Sequence, residues 1–448
     1  MNINIREIIA QTLYTLEISD RKSHLLIRDV LEKYDWLPGR DKAFFKRVTE
    51  GSVSMKLTLD HVLDRVSKKP MAKCKPMIRV ILRMSAYQML YMDKVPGSAA
   101  VNEAVKLCGK LSVKELCPFV NAVLRNLSKL GKEALDFSGI SDNIKRLSLT
   151  YSMPEWIVSM FVKEQPEAES LLKALNERST TTVYIADEEK RTEILSAWKE
   201  SGLDFEESPL VDGAYRFEAL EGAKTLPGFN EGHILIMDES SMIAALATGI
   251  QKGDDLTFLD CCAAPGGKSA FVAKKMMPKG KVYSRDLSEN KAGYLSENFE
   301  RLKLTNTEIK VWDATELDDS LLEAADVVLV DAPCSGLGVL GKKSDVRYNI
   351  SNEAMKEISG IQKKILENAA KYVKPGGVLV YSTCTIHRAE NERTVKYILD
   401  KLPFTGDSLK PFAPKLFEKE RECEYMLQLR PDRDGCDGFF ISRFVKSK

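Results

Sequence analysis

The sequence predicts an α/β fold for the C-terminal half of the chain, preceded by an all-α domain and a small α+β module. Three observations carry this. From Leu256 on, apolar strand-like runs alternate with amphipathic stretches of helical length, the rhythm of a parallel sheet with helices on both faces. Residues 1 to about 138 show helical periodicity only. Residues 144–235 mix β-branched runs with helical stretches. The expected divisions are 1–138, 144–235 and 236–448, and a chain of 448 residues can bury a separate core in each.

In the first division, Val101, Ala104, Val105 and Cys108 fall at i, i+3, i+4 and i+7, and Val120, Val123, Leu124 and Leu127 repeat that spacing. Each set makes one apolar stripe on a helix. Ile78, Leu82 and Met89 continue the pattern over 76–92, and Pro96-Gly97 breaks the chain between helices. Arg79, Arg83, Lys106, Lys110, Arg125 and Lys129 lie between the stripes, facing phosphates or water. The net charge of +1 is unevenly divided: residues 1–140 hold 24 Lys and Arg against 15 Asp and Glu, a net of +9, and the remainder holds 42 against 50, a net of −8. Such a basic region either meets a polyanion, most simply nucleic acid, or is a solvated face.

The polar stretch Ser138–Asn143, with Gly139, marks the first boundary. Tyr151–Trp156 then reads as an anchored turn before a helix. Thr181–Ile185, Ala214–Phe217 and His233–Ile236 read as strands, with a helix over 188–201. Asp238-Glu239-Ser240-Ser241 leads into an Ala-rich helix.

The last division is expected to hold strands at Leu256–Asp260, Lys281–Asp286, Ile309–Ala314, Asp326–Asp331 and Gly377–Thr383, with helices over 267–277, 288–303, 353–373 and 388–401. Tyr425–Leu429 and Gly438–Val445, joined by the polar Pro431–Asp437, suit a hairpin at the sheet edge. Ligands of open α/β sheets bind beyond the carboxyl ends of the strands. Asp260, Asp286, Asp313 and Asp331 all fall there. Any one of them reads as an ordinary helix cap. Four along one edge suit a cationic nucleoside better than a diphosphate, and S-adenosylmethionine carries a sulfonium and no phosphate. Asp286 is placed to accept from ribose hydroxyls and Asp313 to contact an adenine.

After the first of these strands comes Asp260-Cys261-Cys262-Ala263-Ala264-Pro265-Gly266-Gly267-Lys268-Ser269. Its small residues let backbone approach a ligand, and the helix that follows offers free N–H groups. Gly267-Lys268-Ser269 imitates a P-loop, but Cys262 stands where a P-loop needs glycine. The three spaced glycines of a dinucleotide site are absent too. Cys262, Ala263, Ala264, Pro265, Gly266, Gly267 and Lys268 are thus candidate contacts to S-adenosylmethionine, and Cys261 reads as structural.

Two thiols follow later strands, in Asp331-Ala332-Pro333-Cys334-Ser335-Gly336 and in Ser382-Thr383-Cys384-Thr385. Adjacent strands lie about 5 Å apart, so both sulfurs can face one substrate. Spacing leaves open which would attack. The nine cysteines form no CxxC pair, so no metal is expected. No apolar run approaches the roughly 18 residues of a membrane span, and the N-terminus lacks the apolar core of a signal peptide. A cytoplasmic location with reduced thiols and no membrane partner is expected.

The segments Cys262–Lys268, Asp331–Gly336 and Ser382–Thr385 together resemble the RNA cytosine-C5 methyltransferase family, and Asp437-Gly438-Phe439-Phe440 is similar to its closing motif. Val95-Pro96, Ala100–Val105 and Phe119–Arg125 resemble a NusB-like RNA-binding helical domain. Met237 stands where the family usually carries glutamine, and Thr181–Asp187 lacks its Arg-Val-Asn. The resemblance implies a Rossmann-like S-adenosylmethionine methyltransferase domain behind the NusB-like one. It implies C5 of a cytosine in small-subunit (16S) rRNA as target, free or partly assembled, and a monomeric enzyme. It also implies Cys384 as nucleophile, Cys334 in product release and Asp331 as the acid that polarises the base. A tRNA or other RNA substrate, or a non-catalytic RNA-binding factor, are the competing readings; a binding protein has no use for both thiols and the cofactor loop.

Overall fold

The computed structural model describes residues 4–448 except 112, 166, 178–179, 219, 221, 419–420 and 422. The chain forms two compact units, Met1–Glu177 with Leu340–Asn349, and Arg178–Val339 with Ile350–Lys448. The first is helical: α1 (Ile5–Ile18), α2 (Ser23–Lys33), α3 (Gly39–Ser54), α4 (Lys56–Val66), α5 (Pro76–Tyr91), α6 (Gly97–Lys110), α7 (Cys117–Leu130), α8 (Asn143–Tyr151), α9 (Glu155–Glu164) and α10 (Ala168–Ala174). The stripes foreseen in the sequence fall on α5–α7. Ile78, Leu82, Val101, Ala104, Cys108, Val120, Val123, Leu124 and Leu127 are all buried in one core. Asn4 caps α1 through its side chain, and proline fills the first turn of α5 and of α7.

Two of the cations between the stripes are held by carboxylates of other helices. Arg83 is buried and donates to Asp60 (2.6 and 2.8 Å) and Glu17 (2.7 Å), and Arg79 donates to Glu17 (2.7 Å). No local pattern foretells that acids from α1 and α4 meet them. Residues 340–349 also belong to this unit. Asp345 accepts from the backbone and hydroxyl of Ser23 (3.0 and 2.6 Å), Arg347 donates to Tyr151 O (3.1 Å) and Asn176 Oδ1 (2.8 Å), and the Tyr348 hydroxyl donates to Ser54 O (2.7 Å).

The second unit opens with β1 (Thr181–Ile185), α11 (Arg191–Glu200), β2 (Glu206–Glu207), β3 (Ala214–Phe217) and β4 (Ile234–Ile236). The strands pair antiparallel in the order β2-β3-β1-β4, over a small core around Trp198 of α11. Then come α12 (Glu239–Leu246), β5 (Thr257–Asp260), α13 (Gly267–Met276), β6 (Lys281–Asp286), α14 (Glu289–Arg301), β7 (Thr307–Val311) and β8 (Ala325–Asp331). After α15 (Val346–Asn349), which lies in the first unit, follow α16 (Asn352–Tyr372), β9 (Val373–Thr383), α17 (Glu392–Lys401), β10 (Phe404–Gly406), β11 (Met426–Leu429), α18 (Pro431–Asp434) and β12 (Phe439–Lys446). The strand order is β10-β12-β9-β8-β5-β6-β7, parallel from β9 to β7, and β12 is antiparallel to β9 and to β11. The fold is Rossmann-like, with one apolar core on each face of the sheet.

The third strand differs from expectation. It ends at Val311, because the last ladder bond is Trp312 N–H to Asp286 O (2.9 Å) and Asp313 then turns back to cap Thr315. The two-residue β2 and three-residue β10 were not legible, being too short to show alternation. Among the described residues no helix is long and apolar enough to cross a membrane.

Order in the sheet reverses between β5 and β8, and such a switch point opens a crevice at the carboxyl edge. One close approach backs that edge. Gly438 N–H donates to Gly338 O (2.9 Å), and a Cβ on Gly338 would stand 1.8 Å from Gly438 O. Gly338→Ala is therefore expected to destabilise the second unit by about 3 kcal/mol. Gly109→Ala in α6, where a Cβ meets nothing within 4 Å, should be neutral or stabilising by up to about 1 kcal/mol. Denaturant unfolding of the two variants checks the contrast.

Candidate active site

β8 and β9 run side by side with Asp331 opposite Ser382. Both chains thus leave the sheet at one level, and their loops bring Cys334 Sγ and Cys384 Sγ to 3.2 Å. Neither is in a disulfide, and both are half-buried. Gly338 N–H donates to Cys384 O (3.0 Å), and the hydroxyls of Ser335 and Thr385 lie 2.8 Å apart. The two loops are therefore stitched together on both sides of the sulfurs.

The sulfurs sit in unequal fields. Lys268, at the start of α13, donates to Asp331 Oδ2 (2.7 Å), whose Oδ1 accepts from Ser382 (2.8 Å), and its Nζ lies 5.2 Å from the Phe439 ring centre. Burial disfavours the Lys268 charge, but Asp331, Asp260 and the Cys384 sulfur outweigh it and raise its pKa above the ordinary lysine value. On the other side stands Glu390, which has no exposed surface. It accepts from Ser335 N–H (2.8 Å) and Gln362 Nε2 (3.3 Å), and His387 Nδ1 lies 3.1 Å from its other oxygen. The Cys334 thiol is pushed well above its usual pKa by its hydrogen bond to Cys384, by burial, and by the charges of Cys384 and Glu390.

Glu390, Gln362 and Asn391 were missed in the sequence. Asn391 accepts from Thr383 Oγ1 (2.7 Å) and donates to Thr385 O (3.0 Å), which closes the Cys384 loop; Gln362 Nε2 also donates to Pro333 O (2.9 Å). The only local signal was a Glu-Asn pair before an amphipathic helix, which reads as an ordinary helix start.

The loop after β5 gathers the other candidates. Asp260 is buried, accepts from Ser269 Oγ (2.7 Å) and Cys262 N–H (3.3 Å), and burial drives its pKa up to about 7. Ala263 N–H donates to Arg285 O (2.8 Å), and Ala264, joined to Pro265 by a cis bond, donates to Asp286 Oδ2 (3.0 Å). Gly266 has φ +103°, and a Cβ there would lie 2.8 Å from Leu295 of α14. Only glycine lets this loop lie so close to α14. Burial holds the Cys262 thiol protonated. Asp286 is buried and also accepts from Leu287 N–H (2.7 Å) and Lys291 (2.8 Å). Leu287 beside it is 63% exposed, an apolar face that no pattern in the sequence marks. Asp331, Asp260 and Asp286 thus end the adjacent strands β8, β5 and β6, and Asp313 lies just past β7 at the far end of the row.

Residues 247–445 match the family model described as 16S rRNA methyltransferase RsmB/F, and residues 3–129 match that of the NusB family. A Bacillus subtilis (strain 168) protein named "Probable ribosomal RNA small subunit methyltransferase B" is 35% identical, over 99% of this chain and 99% of its own. The chain belongs to the ribosomal RNA small subunit methyltransferase B family. A Synechocystis relative of the same name is 30% identical over 99% of this chain and all of its own. The crystal structure of PH0851 superposes with a TM-score of 0.83 at 23% identity, covering 100% of both chains. That of a methyltransferase homolog protein from Pyrococcus horikoshii gives 0.59 at 25%, covering 68% of this chain and 100% of that one. As a member of this family the protein is an S-adenosylmethionine-dependent rRNA methyltransferase. The site's own chemistry fits that donor: a row of carboxylates with an apolar face at Leu287 suits a sulfonium nucleoside.

Two outcomes follow from these fields. Glu390→Gln keeps an acceptor for Ser335 N–H but removes the charge beside Cys334. Alkylation of Cys334, followed by peptide mass spectrometry, should then set in at lower pH; an unchanged profile would deny Glu390 this electrostatic role. Asp260 binds its proton more tightly folded, near pH 7, than the ordinary 3.8. Its contribution to stability is therefore complete below pH 4 and is lost as the pH rises through about 7. Asp260→Asn should flatten the plot of denaturant midpoint against pH across that window.

Proposed function

We propose that the protein methylates C5 of a cytosine in small-subunit 16S rRNA, free or partly assembled, through a covalent adduct between Cys384 and C6 of the base. The observation that carries this is the pair of sulfurs 3.2 Å apart, with a cation on one side and a buried carboxylate on the other. C5 of cytosine is a poor nucleophile until the ring's aromaticity is interrupted. A thiolate adding to C6 does that and leaves C5 enamine-like. S-adenosylmethionine, when bound along Cys262–Lys268 and Asp286, with Asp313 towards the adenine, supplies an electrophilic methyl group on sulfonium.

The positive charge of Lys268 favours the thiolate of Cys384. Glu390 and the neighbouring sulfur keep Cys334 protonated. Asp331, fixed by Lys268 and Ser382, faces N3 of the base, where a proton taken from solvent as Cys384 adds is held between N3 and the carboxylate and withdraws electrons from C6. Once Cys384 is bonded to C6 it is no longer a thiolate, so its hydrogen bond and its charge no longer raise the Cys334 pKa, while burial and Glu390 still do. Cys334 can then lose its own proton to solvent and, as thiolate, take the C5 proton; the electrons of that C–H bond restore the C5–C6 double bond, the C6–S bond breaks, and Cys384 returns as thiolate. The target base must leave its stack or lie in a loop, since C6 is unreachable in a paired helix. In this reading residues 1–138 supply salt-sensitive RNA affinity, 144–235 an accessory RNA contact, and 236–448 the chemistry.

Cys384→Ala is expected to lower methyl transfer by roughly 10⁴-fold. Cys334→Ala should instead accumulate an RNA–protein adduct that survives denaturing electrophoresis; an adduct trapped by the Cys384 variant would reverse the roles. Bisulfite sequencing of rRNA from cells with and without the protein should show one cytosine that loses protection. Identical maps would overturn the proposed substrate.

A further inference from the structure

The positive charge of the helical unit is not evenly available. Arg79 and Arg83 are neutralised by Glu17 and Asp60, Lys106 by Glu103, Lys110 by Glu7 and Lys132 by Asp93. One stretch is different. From Arg65 to Met92 there is no aspartate or glutamate, and the connection between α4 and α5 carries Lys68, Lys69, Lys73 and Lys75. All four are exposed, and among the described residues none is in an ion pair.

The connection is held in a fixed shape. Met71 and Cys74 are buried in the core, Met71 N–H donates to Asp64 Oδ1 (2.6 Å), and Arg79 donates to Cys74 O (2.9 Å). Asn126 of α7 donates to Val66 O (3.2 Å), which sets α7 beside the loop. Next to Asn126 on α7, Arg125 and Lys129 are exposed, one turn apart and likewise outside any ion pair among the described residues. Holding six cations on one fixed surface costs self-repulsion. Elsewhere in the unit ion pairs with carboxylates relieve that cost; here, among the described residues, none of the six forms one, and Asp64 at the loop turns its Oδ1 to the Met71 N–H. A free solvated tail would spread such charges apart, but these are pinned.

We infer that Ser67–Lys75 together with Arg125 and Lys129 is the surface of the helical unit that grips the RNA phosphate backbone. This rests on the proposed rRNA substrate for its biological partner. The loop carries no aromatic residue to stack a base, and most hydrogen bonds from such cations go to phosphate and sugar. The surface therefore supplies affinity and register, and sequence discrimination is left to the second unit.

The test compares two full-length variants with equal charge loss in the same unit. One carries Lys68→Gln, Lys69→Gln, Lys73→Gln and Lys75→Gln; the control carries Lys22→Gln, Lys94→Gln, Lys114→Gln and Lys163→Gln, all exposed. Affinity for a 16S rRNA transcript is measured from 50 to 200 mM salt. The loop variant should lose roughly 10²-fold in affinity at the low end, and its slope of log affinity against log salt should shrink by about 3. The loop variant's KM for rRNA should rise at unchanged kcat, because the chemistry lies elsewhere. The control's affinity should move by less than about threefold. Equal losses in the two variants, or an unaltered salt slope, would overturn the inference. Because the contact is to phosphate, the slope can be read with any transcript, so a wrong rRNA assignment leaves this test standing.

Discussion

The structure of the site depends on the register between β8 and β9. Asp331 faces Ser382 across a parallel ladder, and everything beyond the sheet edge inherits that alignment. A slip of one residue would turn each side chain to the opposite face. It would break the Ser382–Asp331 bond, release Lys268 from its anchored carboxylate, and separate sulfurs that lie 50 residues apart in sequence. The buried run Val327–Val330 and the facing Leu379–Tyr381 pack in this register into the apolar cores on both faces of the sheet.

Strand register alone does not fix loops, and three further devices do. The Gly338–Gly438 approach locks the closing motif behind the Cys334 loop. Asn391 ties both ends of the Cys384 loop, and Glu390 with Gln362 ties the Cys334 loop to the start of the helix that follows Cys384. Each clamp is polar and buried, so each is strong only while fully satisfied. The two thiols are thus positioned by the same short segment, 383–391, reached from opposite sides.

Much of this was legible in the sequence. The β-α alternation showed itself because parallel strands buried on both faces read as continuous apolar runs, as in Val327–Val330. Carboxylates and thiols at strand ends were visible because strand ends are. What stayed hidden depends on tertiary meeting. Arg83 looked like a surface cation until Glu17 and Asp60 came from other helices. Glu390 fell inside the helix expected over 388–401, and its donors, Ser335 and Gln362, lie 55 and 28 residues away. Nothing local in 340–349 indicated that it would join the helical unit. Asp313 reads as a strand end because Trp312 extends the ladder by a single bond before the chain turns.

The unequal surroundings of the two sulfurs also order the proposed reaction in time. Two thiols 3.2 Å apart cannot both ionise easily, since each thiolate raises the other's pKa. In the proposed reaction Lys268 on one side and Glu390 on the other favour Cys384 as the sulfur that ionises first. Bond formation at C6 then converts the ionised sulfur into a neutral thioether and removes the largest obstacle to ionising its partner. In the proposed reaction the charge of Cys384 passes into the ring as its electron pair becomes the S–C6 bond, and Cys334 ionises, by losing its own proton, only after the adduct exists. Cys334 is a poor base before addition, when abstraction would be premature, and a better one afterwards, when the C5 proton must leave. In this proposal covalent chemistry at one sulfur alters the ionisation of the other, because the Cys384 sulfur is itself among the causes that hold Cys334 protonated.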